Sequence, residues 1–527
     1  MNKSLIPLVL ALVLASGVFL GYKLQERRQG NPNIYSNTTI HSKLENILQL
    51  IDAKYVDTVN VQQLYDEAIT DILGKLDPHS TYLPPIESQQ EAEIMTGNFE
   101  GIGIEFMISK DTIQVVVPIA GGPSEQVGLS AGDKILKIND TLVAGVKITN
   151  EDVMKKLKGV KGTKVKVTIL KRNNKIIDYT ITRNKIPIYS VDAAFMLDAK
   201  TGFIKINRFS QTTYNEFAEK LDMLLGKGMK NLVIDLRGNG GGFLDQAVKI
   251  TDELLDGKKL IVYTEGRNSP KMVQNAGKIG NFETGNLAIL IDEGSASASE
   301  ILSGAIQDWD RGTIIGRQSF GKGLVQEEIP FKDGSAVRLT VAKYYTPSGR
   351  SIQKDYSHGI ESYYMETSNR YAKDTTTKIE QKPKQVYHTK VKNREVFGGG
   401  GITPDILVPL DTSMFNPLVL EILYNSVMNE FVYNYYQSNK ANFKFKDIVD
   451  FDKNFNISNE FYQSFLQYAY KNGVSSKNSI YAEKSKSYLE LRLKAFLAKQ
   501  QFQNDGFYYV MSKDDKMIEK ALKTVEK

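Results

Sequence analysis

The sequence predicts an α/β multidomain protein in four parts behind an apolar amino-terminal segment. Three observations predict it. Continuous apolar runs such as NLVIDL (231–236) and LAILI (287–291) alternate with helical patterns, as in strands buried on both faces of a helix-covered sheet. From Gly97 to Lys185, short β-rich runs and turns replace that alternation. After Asp411 the chain is helical and rich in Tyr, Phe and Asn. At roughly 150 residues per domain, 527 residues suggest three or four domains rather than one core.

The first element is a segment over residues 1–30. Lys3 precedes an uncharged, mostly apolar run from Leu5 to Tyr22, with Lys23, Arg27 and Arg28 behind it. At about 1.5 Å per residue that run nearly crosses a hydrocarbon core. An uncleaved membrane anchor is expected, with a cleaved signal peptide as the rival. The flanking charges do not settle its orientation. A helical region follows over 36–95. Ile40, Leu44, Ile47, Leu48 and Ile51 fall at helical spacing, and Asn60 can cap a second helix carrying Leu64, Ala68, Ile72, Leu73 and Leu76. LDPHSTYLPP ends it, and His79 reads there as a capping or packing histidine in a turn.

Residues 96–186 make the β-rich part. GIGIEFMI, TIQVVVPI, KILKIND, KVKVTIL and IIDYTIT read as strands, with helices around Pro123–Val127 and Asn150–Leu157. FEGIGIEF (99–106) enters the first strand through a glycine-containing turn, whose N–H groups can converge on an anion such as a peptide carboxylate. Together with GGPSEQVGLSAGDKILKIND (121–140), the stretch resembles a PDZ domain. The resemblance implies a reader of carboxyl-terminal peptides, with Gly101, Ile102, Gly103 and Ile104 in the peptide-binding groove.

The α/β core spans 187–411. GFIKI (202–206), NLVIDL, LAILI, GTIIG (312–316) and SAVRLTVAKYY (335–345) read as strands; Tyr214–Leu225 and Phe243–Leu255 read as helices. Ser368–Val396 is polar and Lys/Thr-rich and reads as a mobile insertion. Residues 412–527 form a helical extension. Docking on the core, a homo-oligomer contact and adaptor binding all stay open as its role.

Composition excludes several chemistries. A net charge of +6 without a dense basic stripe gives no support for nucleic-acid binding. The absence of cysteine removes disulfides, thiol nucleophiles and thiolate metal sites. The four histidines, His41, His79, His358 and His388, show no metal-binding spacing, so neither a metal nor a cofactor is expected.

DEGSASASEILSGA (292–305) offers Ser295, Ser297 and Ser299 at alternate positions, and a serine hydroxyl needs a base to become a nucleophile. Lys322, in QSFGKGLVQ (318–326), can serve if burial lowers its pKa from about 10.4. A lone GKG would ordinarily be a solvated loop. RGNGGG (237–242) lacks the spacing of a phosphate cradle. Taken jointly, LDPHSTYL, the PDZ segment, IDLRGNGGG, the serine and lysine stretches, YYTPSGRSIQ (344–353) and GGGGITPD (398–405) resemble, in order, the carboxyl-terminal processing peptidases, or tail-specific proteases. The resemblance covers 36–410.

The resemblance implies a serine endopeptidase with a Ser–Lys dyad. That family's nucleophile is the middle serine, here Ser297, and its lysine lies 25 residues on, at Lys322. A glutamine one helical turn or so further, here Gln326, orients the amine. Ala298 N–H suits the oxyanion. A second donor is expected from the glycine turn, with Gly241 favoured and Gly240 and Gly242 as rivals. The implied substrates are proteins with apolar carboxyl-terminal tails, captured by the PDZ domain, which gates the active site. The implied location is the bacterial cell envelope or periplasm, anchored to the cytoplasmic membrane. The alternative is a catalytically inert, membrane-anchored tail-binding adaptor.

Overall fold

The apolar runs become a six-stranded sheet. Its order is Val191–Met196, Thr201–Ile206, Asn231–Asp235, Asn286–Ile291, Thr313–Gly316 and Ile406–Leu407. The first pair is antiparallel and the rest are parallel. Successive side chains on a strand point to opposite faces, and both faces here are covered. Ile204, Ile206, Leu232, Ile234, Leu287 and Ile289 pack against Phe217, Leu221, Ala247, Ile250 and Leu302 of helices Thr213–Gly226, Leu244–Asp252 and Ala298–Asp308. Phe203, Val233, Ala288 and Leu290 pack the other way, against Tyr509, Met517, Ile518, Ala521 and Val525.

That second layer comes from the carboxyl-terminal extension. Its helix Lys516–Val525 is amphipathic and capped by Asp515, which accepts from Met517 and Ile518 N–H. The remaining helices of the extension bury a core of their own around Phe451, Phe465, Leu489 and Leu493. Of the roles left open by the sequence, the structure shows docking on the core.

This computed structural model describes residues 43–119, 121–171, 173–373, 385–425 and 427–526. The Leu5–Tyr22 run lies outside the described residues, and among those described no helix is long and apolar enough to cross a membrane. The chain divides at Lys75. Before it stand helices Lys43–Lys54 and Val61–Gly74, the second capped by the Asn60 side chain on Gln63 N–H.

Leu76 onward belongs to the unit that holds the sheet. Thr81–Leu83, within the stretch expected to be helical, is instead a strand that pairs with Ala336–Tyr345 in an antiparallel sheet with Leu260–Glu265, Met272–Asn275 and Leu324–Pro330. The β-rich part is an antiparallel sheet of Ile104–Ser109, Thr112–Pro118, Lys134–Ile138, Lys164–Leu170 and Ile176–Thr182. Its entering and leaving segments, Asn98–Gly101 and Asn184–Pro187, pair with each other.

The stretch expected to be a mobile insertion carries regular structure among its described residues. Helix Ile360–Lys373 runs into it, and Val386–His388 pairs with Glu395–Phe397. A buried Tyr363 and a bond from Arg370 Nη1 to the Ser319 carbonyl hold that helix down, contacts that polarity along the chain does not reveal. Residues 374–384 lie outside the described ones.

Candidate active site

The Asn286–Ile291 strand ends in a turn that leads to helix Ala298–Asp308, all of whose residues are buried. Nonlocal bonds sew this turn to the glycine turn after Asn231–Asp235. Ser295 Oγ donates to the Leu236 carbonyl at 2.8 Å, Ser299 Oγ to the Asn239 carbonyl at 2.9 Å, and Ala296 N–H to the Asn239 carbonyl. Ser295 and Ser299 are therefore buried structural hydroxyls. Ser297 is half-buried; its Oγ donates to no acceptor among the described residues and faces the Glu300 N–H in a capping box at the helix N-terminus. Its backbone sits at φ 54° and ψ −112°. Such a conformation in a non-glycine residue costs on the order of 1–3 kcal/mol and persists only when the surroundings impose it.

Glu300 and Tyr344 impose it, and the same two residues hold Lys322. The fully buried Glu300 carboxylate accepts Ser297 N–H (2.8 Å) and Lys322 N–H (2.9 Å) on Oε2, and Gly321 N–H (2.8 Å) and Ser319 Oγ (2.5 Å) on Oε1. Tyr344 OH reaches the carbonyls of both Ser297 (3.1 Å) and Lys322 (2.6 Å). Burial pushes Glu300 up to about 7, against the pull of those four donors. Neither Glu300 nor Tyr344 was singled out from sequence. The available signal was an acid in the first turn of a helix whose other residues up to Ile306 are small or apolar.

Lys322 Nζ donates to Gln326 Oε1 at 2.8 Å; no hydrogen bond joins it to Ser297 Oγ in this structure. Burial, and then the charge of Arg338, lower its pKa to about 8, against Glu300 and Asp77. Gln326 does not lie on a helix. It stands on strand Leu324–Pro330, just past a register shift between Val325 and Gln326, opposite Thr340. Its Nε2 donates to the carbonyl of His79, so His79 packs as the sequence suggested but does so beside Lys322.

Ala298 N–H opens the helix and has no acceptor among the described residues. Gly241 lies against both residues: a Cβ there would stand 2.8 Å from Ser297 Cβ and 3.0 Å from Ala298 N, and its φ of +100° also demands glycine. Its N–H is given to Asn239 Oδ1 at 2.9 Å in this state. The N–H groups of Gly240 and Gly242 have no acceptor among the described residues. Behind this turn Arg237 bonds both oxygens of Asp235, and its Nη1 meets Asp515 of the extension at 2.7 Å.

In the β-rich domain Gly101 ends one strand, Ile104 begins another, and Gly103 turns at φ +71°. The Ile102 and Gly103 carbonyls point inward, accepting from Ser124 and from Ile119 N–H. Their own N–H groups have no acceptor among the described residues, and Ile104–Ser109 is an edge strand. Anion-binding donors beside an open strand edge can take an added peptide strand with its terminal carboxylate. Ser109, at the far end of that edge, donates to Glu430 of the extension at 2.5 Å, and Tyr433 OH donates to the Val115 carbonyl. Among the described residues no group of three or more His, Asp or Glu is arranged to hold a metal.

Comparison with known proteins agrees with this layout. The model of peptidase family S41 matches residues 200–363, that of the PDZ domain 90–170, and that of a family of unknown function, DUF8443, 418–503. A carboxy-terminal-processing protease of Bartonella bacilliformis is 36% identical over 350 residues, covering 65% of this chain and 80% of its own. The carboxy-terminal processing protease CtpA of Bacillus subtilis is 34% identical over 347 residues, covering 66% and 74%. A probable CtpA-like serine protease of Staphylococcus aureus is 34% identical over 313 residues, covering 59% and 62%.

Proposed function

The chain belongs to the carboxy-terminal processing proteases of peptidase family S41 and is a serine peptidase, and on that premise we propose that Ser297 is its nucleophile and Lys322 its general base. One observation carries the assignment. Of the three alternate serines only Ser297 donates its hydroxyl to no acceptor among the described residues, and its main chain shares the Glu300 carboxylate and the Tyr344 hydroxyl with that of Lys322. Catalytic hydrogen bonds often close only when substrate is bound. The Lys322 amine, already lowered toward neutrality, then takes the Ser297 proton as Oγ attacks a peptide carbonyl.

The ammonium so formed donates its proton to the leaving amine. Water hydrolyses the acyl-enzyme with the same pair acting again. Ala298 N–H supplies one oxyanion donor at a helix N-terminus, where the backbone dipole favours negative charge. A glycine N–H of the 240–242 turn supplies the other; Gly241 N–H would first have to release Asn239 Oδ1.

The substrates in this reading are proteins with apolar carboxyl-terminal tails. The turn 101–104 and the Ile104–Ser109 edge capture the tail, and capture gates cleavage. Deleting Gly97–Lys185 would then alter rate or selectivity on a tail-bearing protein; an unchanged profile counts against gating. The reading extends to the cell envelope, with Leu5–Tyr22 as anchor, and protease accessibility of intact cells against lysed cells tests that. The primary experiment compares cleavage of an unstructured protein with an apolar terminus by wild type, Ser297→Ala and Lys322→Ala. Loss in both variants with folding intact supports the dyad. Cleavage by Ser297→Ala refutes it, and silence of the wild type favours the inert adaptor.

A further inference from the structure

We propose that the carbonyl of His79 is a positioning group for catalysis, holding the Gln326 side-chain amide in the one orientation that leaves the Lys322 lone pair free. The inference rests on the reading of Lys322 as general base. A neutral lysine amine has two N–H donors and one lone pair. It can abstract the Ser297 proton only if the lone pair is unoccupied. Facing Gln326 Oε1, the amine donates an N–H and keeps its lone pair. Facing Nε2, it would accept an N–H and lose the lone pair to the amide.

An amide with polar groups at both ends has little intrinsic reason to prefer either orientation. A backbone carbonyl gives it one, because a carbonyl can only accept. With Nε2 committed to the His79 carbonyl, Oε1 must face Nζ, where it stands at 2.8 Å.

The turn that presents this carbonyl is tied to the strand that carries Gln326's partner. Asp77 Oδ1 accepts His79 N–H (2.8 Å), Ser80 N–H (2.9 Å) and Thr340 Oγ1 (3.1 Å), and Asp77 Oδ2 accepts Ser80 Oγ (2.6 Å). Thr340 N–H donates to Ser80 Oγ, and Thr340 is the cross-strand neighbour of Gln326. Turn and amide are thus mounted on one residue. The His79 ring adds a second anchorage: it bonds Tyr363 OH at 2.7 Å and packs against Phe320, two positions before Lys322. Burial, together with the Lys322 charge, holds that imidazole down at about 4, so it stays neutral beside the amine.

The test is a double-mutant cycle on the full chain. Asp77→Ala should free the turn and lower kcat about 10- to 100-fold with KM nearly unchanged, the size expected when a catalytic group is mispositioned by about an ångström. Asp77→Asn keeps the acceptor and should restore kcat to within about threefold. Gln326→Leu removes the amide, and in that background Asp77→Ala should cost nothing further. The same kcat loss in both backgrounds overturns the proposal, as does an Asp77→Asn variant no better than Asp77→Ala. If Asp77→Ala does not fold, Thr340→Val, which deletes one bond to Asp77, replaces it in the cycle. Activity surviving in Lys322→Ala would instead refute the base assignment beneath it.

Discussion

Two buried charged clusters stand at the ends of neighbouring parallel strands, and they are built in opposite ways. After Asn231–Asp235, the buried Asp235 meets Arg237 at 2.6 Å and Lys205 at 3.2 Å, and Arg237 also meets Asp515. Burial would raise the Asp235 carboxyl, but Arg237 and Lys205 hold it well below the usual carboxylate range. Burial would lower Arg237 as well, and Asp235 and Asp515 more than reverse it. After Asn286–Ile291, Glu300 and Lys322 share hydrogen bonds through the Lys322 backbone, but the ammonium faces a neutral amide. There burial wins, moving the acid up to about 7 and the lysine down to about 8. Direct pairing keeps charges fixed; burial without direct pairing leaves groups able to exchange protons near neutral pH.

The largest way to break this contrast is at Lys322 of the second cluster and its neighbour Ser297. Ser297→Ala and Lys322→Ala should each lower kcat by about 10⁴-fold or more while leaving the melting temperature nearly unchanged. In the first cluster the effect should reverse. Arg237→Met leaves buried Asp235 without its main partner and should cost about 3–5 kcal/mol of stability in denaturant titrations. An Arg237→Met protein as stable as wild type would mean the cluster is not held by pairing.

Glu300→Gln falls next. All four acceptor positions of the carboxylate are filled, and an amide offers only one oxygen; in its better orientation, with the nitrogen in place of Oε1, Gly321 N–H would face another N–H group and the Ser319 hydroxyl would have to turn to accept. Each stranded donor costs about 1–3 kcal/mol; calorimetry should show that loss together with reduced kcat.

The pH dependence separates the clusters further. Activity should rise through about 8 as Lys322 loses its proton, and a profile climbing only above about 10 removes Lys322 as the base. For stability, Asp235 has a depressed folded pKa, so its contribution is present above the unfolded value and is lost as pH falls below it. Glu300 has the opposite sign. Its raised folded pKa means stability declines as pH climbs from the unfolded value toward about 7. Smallest of all, Ser295→Ala and Ser299→Ala should each cost about 1 kcal/mol of stability and retain most of kcat. A loss of activity as deep as that of Ser297→Ala would move the nucleophile.

What the sequence determined by itself was local or periodic. Apolar runs became strands, amphipathic spacing became helices, and Asn60 capped its helix, because each depends on residues a few positions apart. The order of the motifs was enough to point to the family. The resemblance implied the middle serine, Ser297, but the residue pattern by itself left three equivalent serines, since alternation cannot say which hydroxyl finds a distant carbonyl. Tertiary structure made that distinction through Leu236 and Asn239, whose carbonyls accept the Ser295 and Ser299 hydroxyls, while that of Ser297 donates to no acceptor among the described residues.

Contact between distant segments also decided the rest: Glu300 as the link between Ser297 and Lys322, His79 beside Gln326, and the last helix as the second layer of the sheet. Spacing along a chain records which side of an element is apolar or polar. What that side meets, and hence whether a buried charge is paired or merely desolvated, exists only once the chain has folded.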